Sequence, residues 1–242
     1  MNLMESSNKY IITFIIIMTV VAAVSLAGMR EITMSASTKN EEIFNKRSIL
    51  LTVNEYLGNG LSVTDLSDDQ VLKMFNEQVE QVVINQKGEV VPKMLAEKID
   101  LAVEKKKPEG ERLLPLFVFK NDKEKFYILS VRGSGLWDEI WGNIAVKSDL
   151  NTIAGVTFDH KGETPGLGAE IKDNPAFPGQ FVGKQIFRDG EVAILVKKGG
   201  SQDKLYEVDG ISGATITGDG VSEMLQRGIS YYLPYIESIE NK

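Results

Sequence analysis

Asp209-Gly210-Ile211-Ser212-Gly213-Ala214-Thr215-Ile216-Thr217 is the stretch whose residue types could do chemistry most directly, because it joins an expected strand to the last expected helix. Small residues let a backbone approach a ligand closely, and the amides and dipole of a helix start favour an anion. On the residues alone two readings stand, a phosphate site or a Gly-rich turn capped by Thr217. His160 is the only histidine and lies beside Asp159. A Ser-His-Asp hydrolase is conceivable from composition, yet the sequence has no nucleophile elbow. With no cysteine in the chain, thiolate-bound zinc, iron–sulfur clusters, Cys nucleophiles and disulfides are excluded within it. Redox chemistry here needs an organic cofactor or a partner.

The 242 residues are 43% apolar, 25% charged and 8% aromatic, an ordinary globular profile that excludes disorder and collagen. Lys and Arg number 27 against 34 Asp and Glu, a net charge of −7, and no basic run gathers on any segment. Nucleic acid is therefore not an expected partner.

The elements that must position the loop begin with Tyr10–Gly28, which carries no charged residue. At ~1.5 Å per residue a helix of that length nearly spans a hydrocarbon core of ~30 Å, so a single transmembrane helix is expected in contact with membrane lipid. Ser25-Leu26-Ala27 also has the small residues of a signal-peptidase site, which leaves a cleaved signal peptide as the competing reading. Lys9 on one side and Arg30, Lys39, Lys46 and Arg47 on the other do not fix the topology. Thr38–Glu41 reads as a capping box opening a linker helix with Ile43, Phe44, Leu50 and Leu51 on its apolar positions. Ser67–Gln70 reads as a second, opening a helix that runs to about Asn85. Leu113–Asn121 and Lys125–Val131, separated by Asp122-Lys123-Glu124, form an expected β-hairpin. Further strands are expected near Trp141–Val146, Ile153–Asp159, Glu191–Lys197 and Leu205–Val208. The last helix should start near Thr217 or Asp219 and bury Val221, Met224, Leu225, Ile229, Tyr232 and Leu233 before Pro234 bends or ends it. The fold class is α+β with a mainly antiparallel sheet and flanking helices.

Asp209-Gly210-x-Ser212-Gly213-Ala214-Thr215 resembles the flavinylation motif of the FMN-binding domain family. The second half of the chain is similar to the C subunits of sodium-translocating NADH:quinone oxidoreductases. The stretches that carry the resemblance are Gly133–Trp137, Trp141-Gly142 with Ala145 and Asp149, Gly155–Phe158, Glu163–Gly168 and the Thr215 loop, in that order. The resemblance implies FMN on Thr215 through a phosphoester, with Asp209, Ser212, Gly213, Ala214 and Thr217 forming the loop. It also implies that a separate flavin transferase, taking FMN from FAD with Mg²⁺, makes the attachment. On the same footing Thr164, Glu163, Gly166 and nearby amides would meet the isoalloxazine edge, Leu167 would cover one face, and Leu136 with Trp137 would form the opposing wall. Trp137 taken alone is more often a core or interface aromatic. Lys197 or Lys198 would neutralise the phosphate or favour reduced anionic flavin; the competing reading is that they are only solvated at a strand end. The Asp159–Glu163 spacing around His160 departs slightly from the family pattern.

The implied function is a membrane-anchored electron carrier in an assembly of six subunits in the cell inner membrane. It would relay electrons from NADH toward quinone, with its domain on the extracytoplasmic side and ion translocation left to multi-helix partners. The alternatives are the G subunit of the Rnf ferredoxin:NAD⁺ complex and an anchored, non-redox binding module. The expected division is a short tail over 1–9, a transmembrane helix over 10–28, a helical linker over 29–107 and an FMN-binding domain over 108–242.

Overall fold

The computed structural model describes residues 2–58, 60–121 and 123–240; the expected turn residue Asp122 lies outside them. By internal contacts the chain divides into two units, Met1–Asn45 and Lys46–Lys242.

The first unit is helical. α1 (Asn2–Leu51) supplies it and the opening residues of the second. Residues 8–42 are exposed along their whole length. A window within Asn8–Leu51 reaches a mean hydropathy of 2.6, so by length and composition the helix can cross a membrane. Thr38 does not open a new helix, contrary to expectation. Its hydroxyl donates to the carbonyl oxygen of Met34 at 2.9 Å, as Thr19 does to Ile15 and Thr33 to Met29. A side chain bonded backward within a continuous helix has no exposed N-terminus to cap.

In the second unit the Ser67 capping box forms as expected. Ser67 Oγ accepts from the Gln70 amide at 3.4 Å and Gln70 Oε1 accepts from the Ser67 amide at 2.8 Å, opening α2 (Asp68–Gln78). The helix then stops short of Asn85, because Val79–Asn85 forms β1. Val79 and Val83 are four apart, a spacing that suits one face of a helix or of a strand. The β-branched run decides for the pleat once it has an antiparallel partner. After α3 (Leu101–Glu104) come β2 (Leu113–Lys120), β3 (Lys125–Ser134), β4 (Glu139–Val146) and β5 (Ile153–His160). They form one antiparallel sheet in the order β1-β2-β3-β4-β5.

Beyond β5 lie α4 (Glu170–Asp173), α5 (Ala176–Gly179) and a ribbon of β6 (Phe187–Arg188) with β7 (Glu191–Val192). β8 (Leu195–Lys197) then pairs in parallel with β9 (Glu207–Asp209), followed by α6 (Thr215–Ser230) and α7 (Leu233–Glu240). The single strand expected over Glu191–Lys197 is thus two, because Val192 pairs with Phe187 whereas Leu195 pairs with Glu207. The strand expected at Leu205 starts at Glu207. Pro234 lies in the first turn of α7, where a missing N–H costs nothing.

Both faces of the sheet are covered. Leu116, Val118, Leu129 and Val131 share a core with Val221, Met224, Leu225 and Ile229 of α6. Phe117, Phe119, Phe126 and Ile128 share another with Leu50 of α1 and Val71 and Phe75 of α2. Burial on two sides is why β2 is a continuous apolar run without alternation. α6 begins close on the end of β3: a Cβ on Gly220 would come 2.3 Å from the Ser134 carbonyl oxygen. That approach sets the start of α6 beside the β3–β4 turn.

Candidate functional site

Three loops meet at one carboxylate. Glu163 follows β5 and is 5% exposed. Its Oε1 accepts from the Trp137 amide at 2.9 Å, in the β3–β4 turn, and its Oε2 accepts from the Thr217 hydroxyl at 2.7 Å, in the first turn of α6. Its own amide donates to His160 Nδ1 at 3.2 Å. Glycines make room for it, since a Cβ on Gly135 would lie 2.5 Å from Oε1 and one on Gly168 would lie 2.3 Å from Oε2. Thr217 therefore does not cap α6. The N-cap is Ala214, the helix starts at Thr215, and the Thr217 hydroxyl, 1% exposed, is committed to Glu163.

The remaining turns lock the same frame. Trp137 Nε1 donates to Thr164 Oγ1 at 3.1 Å. The Thr164 carbonyl accepts from the amides of Leu167 and Ala169, both at 3.1 Å, and Gly166 takes φ +74° in the turn between. Gly213 has φ +78°, and a Cβ there would meet Leu167 Cδ2 at 2.7 Å, so the Ser212–Gly213 turn lies against Leu167. His160 acts inside this loop as an acceptor, and the adjacent Asp159 carboxylate is ion-paired with Lys172 at 2.8 Å. No seryl nucleophile is bonded to His160 among the described residues.

Two kinds of surface result. The amides of Thr215 and Ile216 have no acceptor among the described residues, as the first turn of a helix leaves them. Around them Leu136, Trp137, Leu167 and Ile216 are 48%, 69%, 41% and 58% exposed. Trp137 is thus an outward aromatic, with its backbone and indole N–H both fixed, and not a core residue. Exposed apolar side chains on a bonded frame form a platform for a flat ligand or a partner.

At the base of the loop, Asp209 and Lys197 are register partners at the ends of β9 and β8, and the Gly210 amide donates to the Lys197 carbonyl at 2.9 Å. The Lys197 ammonium lies 3.8 Å from Glu207. The Asp209 carboxylate accepts from the Ser201 amide at 2.6 Å, and bonds from Ser201 hold it below the usual carboxylate range. Gln180, to which the sequence drew no attention, brackets the Asp209 backbone: its Oε1 accepts from the Asp209 amide at 2.8 Å and its Nε2 donates to the Asp209 carbonyl at 3.3 Å. Ser222 does the same for β8, accepting from the Val196 amide at 2.9 Å. In the β3–β4 turn the Glu139 amide, and then Lys161, lower the Asp138 carboxyl. A separate cavity of about 160 Å³ lies between α3, β3 and α6, lined by Arg112, Arg132, Met224, Arg227 and Tyr231. None of the loop residues named above lines it.

Residues 135–230 match the model of the FMN-binding domain. The C subunit of the Na(+)-translocating NADH-quinone reductase of Neisseria meningitidis is 31% identical over 247 residues, which covers 93% of this chain and 90% of that one. Its counterpart from Haemophilus ducreyi is 44% identical over 112 residues, 45% of this chain and 43% of that one. Among solved structures, the C subunit from Parabacteroides distasonis superposes with a TM-score of 0.73 at 37% identity, covering 84% of this chain and 96% of that chain. NqrC of Shewanella oneidensis gives 0.69 at 27% identity, over 84% and 99%.

Proposed function

The chain belongs to the family of C subunits of the Na(+)-translocating NADH-quinone reductase, and from that premise we propose that it carries electrons in that oxidoreductase complex through FMN esterified to Thr215. The observation that carries the reading is the start of α6. Thr215 opens the helix next to amides without acceptors, while Trp137, Leu136, Leu167 and Ile216 stand exposed on the segments that Glu163 joins. This donor set fits FMN, because unpaired amides at a helix start suit a phosphate and an exposed apolar platform suits a tricyclic ring.

When bound, FMN supplies the one- and two-electron chemistry that no side chain here performs. The residues have the supporting tasks. The Thr215 hydroxyl is the acceptor of the phosphoester, the amides of Thr215 and Ile216 hold phosphate oxygens, and Ser212, Gly213 and Ala214 keep that approach open. Leu167, Leu136 and Trp137 cover ring surface. Thr164, which accepts from the Trp137 indole, keeps its own hydroxyl proton for the flavin edge. Asp209 and Lys197 close the base of the loop.

α1 is a retained single-pass anchor in the inner membrane, and the second unit works on the extracytoplasmic side, where a covalent bond keeps the flavin from diffusing away. A flavin transferase makes the attachment and five further subunits make up the rest of the complex, relaying electrons from NADH toward quinone. Ion translocation belongs to those partners, because the uncharged span of α1 offers no polar path across the bilayer. The test is NADH-driven quinone reduction in membranes carrying the assembled complex with Thr215→Val. The reading expects the rate to collapse; a rate equal to wild type would show that electrons bypass this flavin.

A further inference from the structure

We infer that Glu163 is the positioning residue of this site, holding the β3–β4 turn and the first turn of α6 in one frame and placing a fixed negative charge inside it that lowers the flavin's reduction potential. The inference rests on the reading of Thr215 as the flavin carrier. The resemblance assigned Glu163 to the isoalloxazine edge, whereas both of its oxygens are already engaged by protein donors, the Trp137 amide at 2.9 Å and the Thr217 hydroxyl at 2.7 Å. The residue is buried, as is Thr217, and no cation stands within ion-pairing distance of it among the described residues. The carboxylate fills space that exists only because residues 135 and 168 are glycine, since a Cβ at either would overlap its oxygens. A buried carboxylate held by two neutral donors is partly screened by their dipoles but keeps its net negative charge. Reduction adds electron density to a flavin, so a fixed negative charge in the frame disfavours the reduced form.

The bonding and the charge separate cleanly by substitution. In Glu163→Gln the amide oxygen still accepts from the Trp137 N–H, and the amide NH₂ donates to Thr217, whose hydroxyl turns its own proton away. Geometry survives and the charge goes. Glu163→Ala removes both, leaving the Trp137 amide without an acceptor.

The experiment uses the full chain in detergent, coexpressed with the flavin transferase, and compares wild type, Glu163→Gln, Glu163→Ala and Thr217→Val. Intact mass reports whether FMN is attached, a test of the underlying reading alone. Hydrogen–deuterium exchange of the Gly135–Asp138 peptide reports the frame and needs no flavin. Spectroelectrochemical titration reports the midpoint potential. Exchange should stay at the wild-type rate in Glu163→Gln and rise about tenfold in Glu163→Ala, the factor expected for one lost buried hydrogen bond. The midpoint potential should move to more positive values in Glu163→Gln. If Glu163→Ala fails to fold, Thr217→Val decides the frame, and faster exchange in the same peptide is expected from it. Wild-type exchange in both of those variants, or a wild-type potential in Glu163→Gln, overturns the inference.

Discussion

The phenolic oxygen of Tyr232 lies 2.8 Å from the carbonyl oxygen of Pro115, a residue 117 positions earlier in the chain. It is also 2.9 Å from the Ser130 carbonyl. The pairing of β2 with β3 runs from Lys120↔Lys125 to Leu116↔Leu129 and stops where Pro115 would be next. Proline has no N–H to give to Ser130, so the ladder opens and Tyr232 supplies a donor at the gap. Tyr232, two residues past α6, is thereby pinned to β3 only four residues before Ser134, the strand's last residue, after which the Trp137 turn begins.

Tyr232→Phe should therefore destabilise the second unit by about 1–3 kcal/mol, the cost of leaving buried carbonyls without a donor. For a unit of this size that is a fall of roughly 2–4 °C in Tm per kcal/mol. Burial pushes the Tyr232 phenol far above the usual tyrosine range, so the donor persists at alkaline pH. Thermal melts at pH 7 and 9.5 check both statements, and the difference between wild type and variant should be the same at the two pH values.

Gly168→Ala should damage the site more than its size suggests. The new methyl would sit 2.3 Å from Glu163 Oε2 and 2.6 Å from Thr217 Oγ1, in place of the bond between them. Overpacking of this kind costs about 1–3 kcal/mol. Intact mass after coexpression with the flavin transferase should show a reduced flavinylated fraction, whereas Gly179→Ala, with open space at its Cβ, should match wild type in that assay.

Asp149 gives the fold an acid limit. Its carboxylate accepts from the Asn151 amide at 3.0 Å and the Thr152 amide at 2.8 Å. Burial raises its pKa, but the bonds from Thr152 and Asn151 outweigh that and hold it below the usual aspartate range. A depressed folded pKa means that this stabilisation is complete above the unfolded value of ~4 and is lost as the pH falls through the lower folded value. The Tm gap between wild type and Asp149→Asn should be constant from pH 6 to 5 and close progressively below pH ~4.

If α1 is retained as an anchor, the protein should stay in the membrane pellet after alkaline carbonate washing. Amino-terminal sequencing should then find no chain beginning at Gly28. Release into the supernatant would support cleavage after Ala27.

Much of the architecture was legible because α6 repeats its buried positions at a helical period and the β2–β3 hairpin has a polar break between apolar runs. The Asp209–Thr217 stretch stands out by its small residues at a strand-to-helix junction, but these alone leave a phosphate site and a Gly-rich turn both open, and the flavin reading comes from the family resemblance. Failures came where a local signal met a tertiary partner. Val79–Asn85 reads as helix by its spacing, but β2 pairs with it; Thr38 differs for a local reason, its hydroxyl bonding four residues back to Met34 inside one continuous helix. Thr217 reads as a cap, but its hydroxyl is committed to Glu163. The family resemblance points to Glu163 as a ligand residue, but its place as a junction depends on Trp137 and Thr217, 26 and 54 residues away. Gln180 carried no local signal at all, since its only distinction is to face the Asp209 backbone.

A covalent flavin on Thr215 can be read from intact mass and in-gel fluorescence of wild type and Thr215→Val, each coexpressed with the flavin transferase and run under denaturing conditions. Wild type should show an added FMN-phosphoester mass and denaturation-resistant yellow fluorescence, with both absent from the variant. A wild-type chain that is colourless at its bare polypeptide mass would contradict it and leave an anchored binding module in its place.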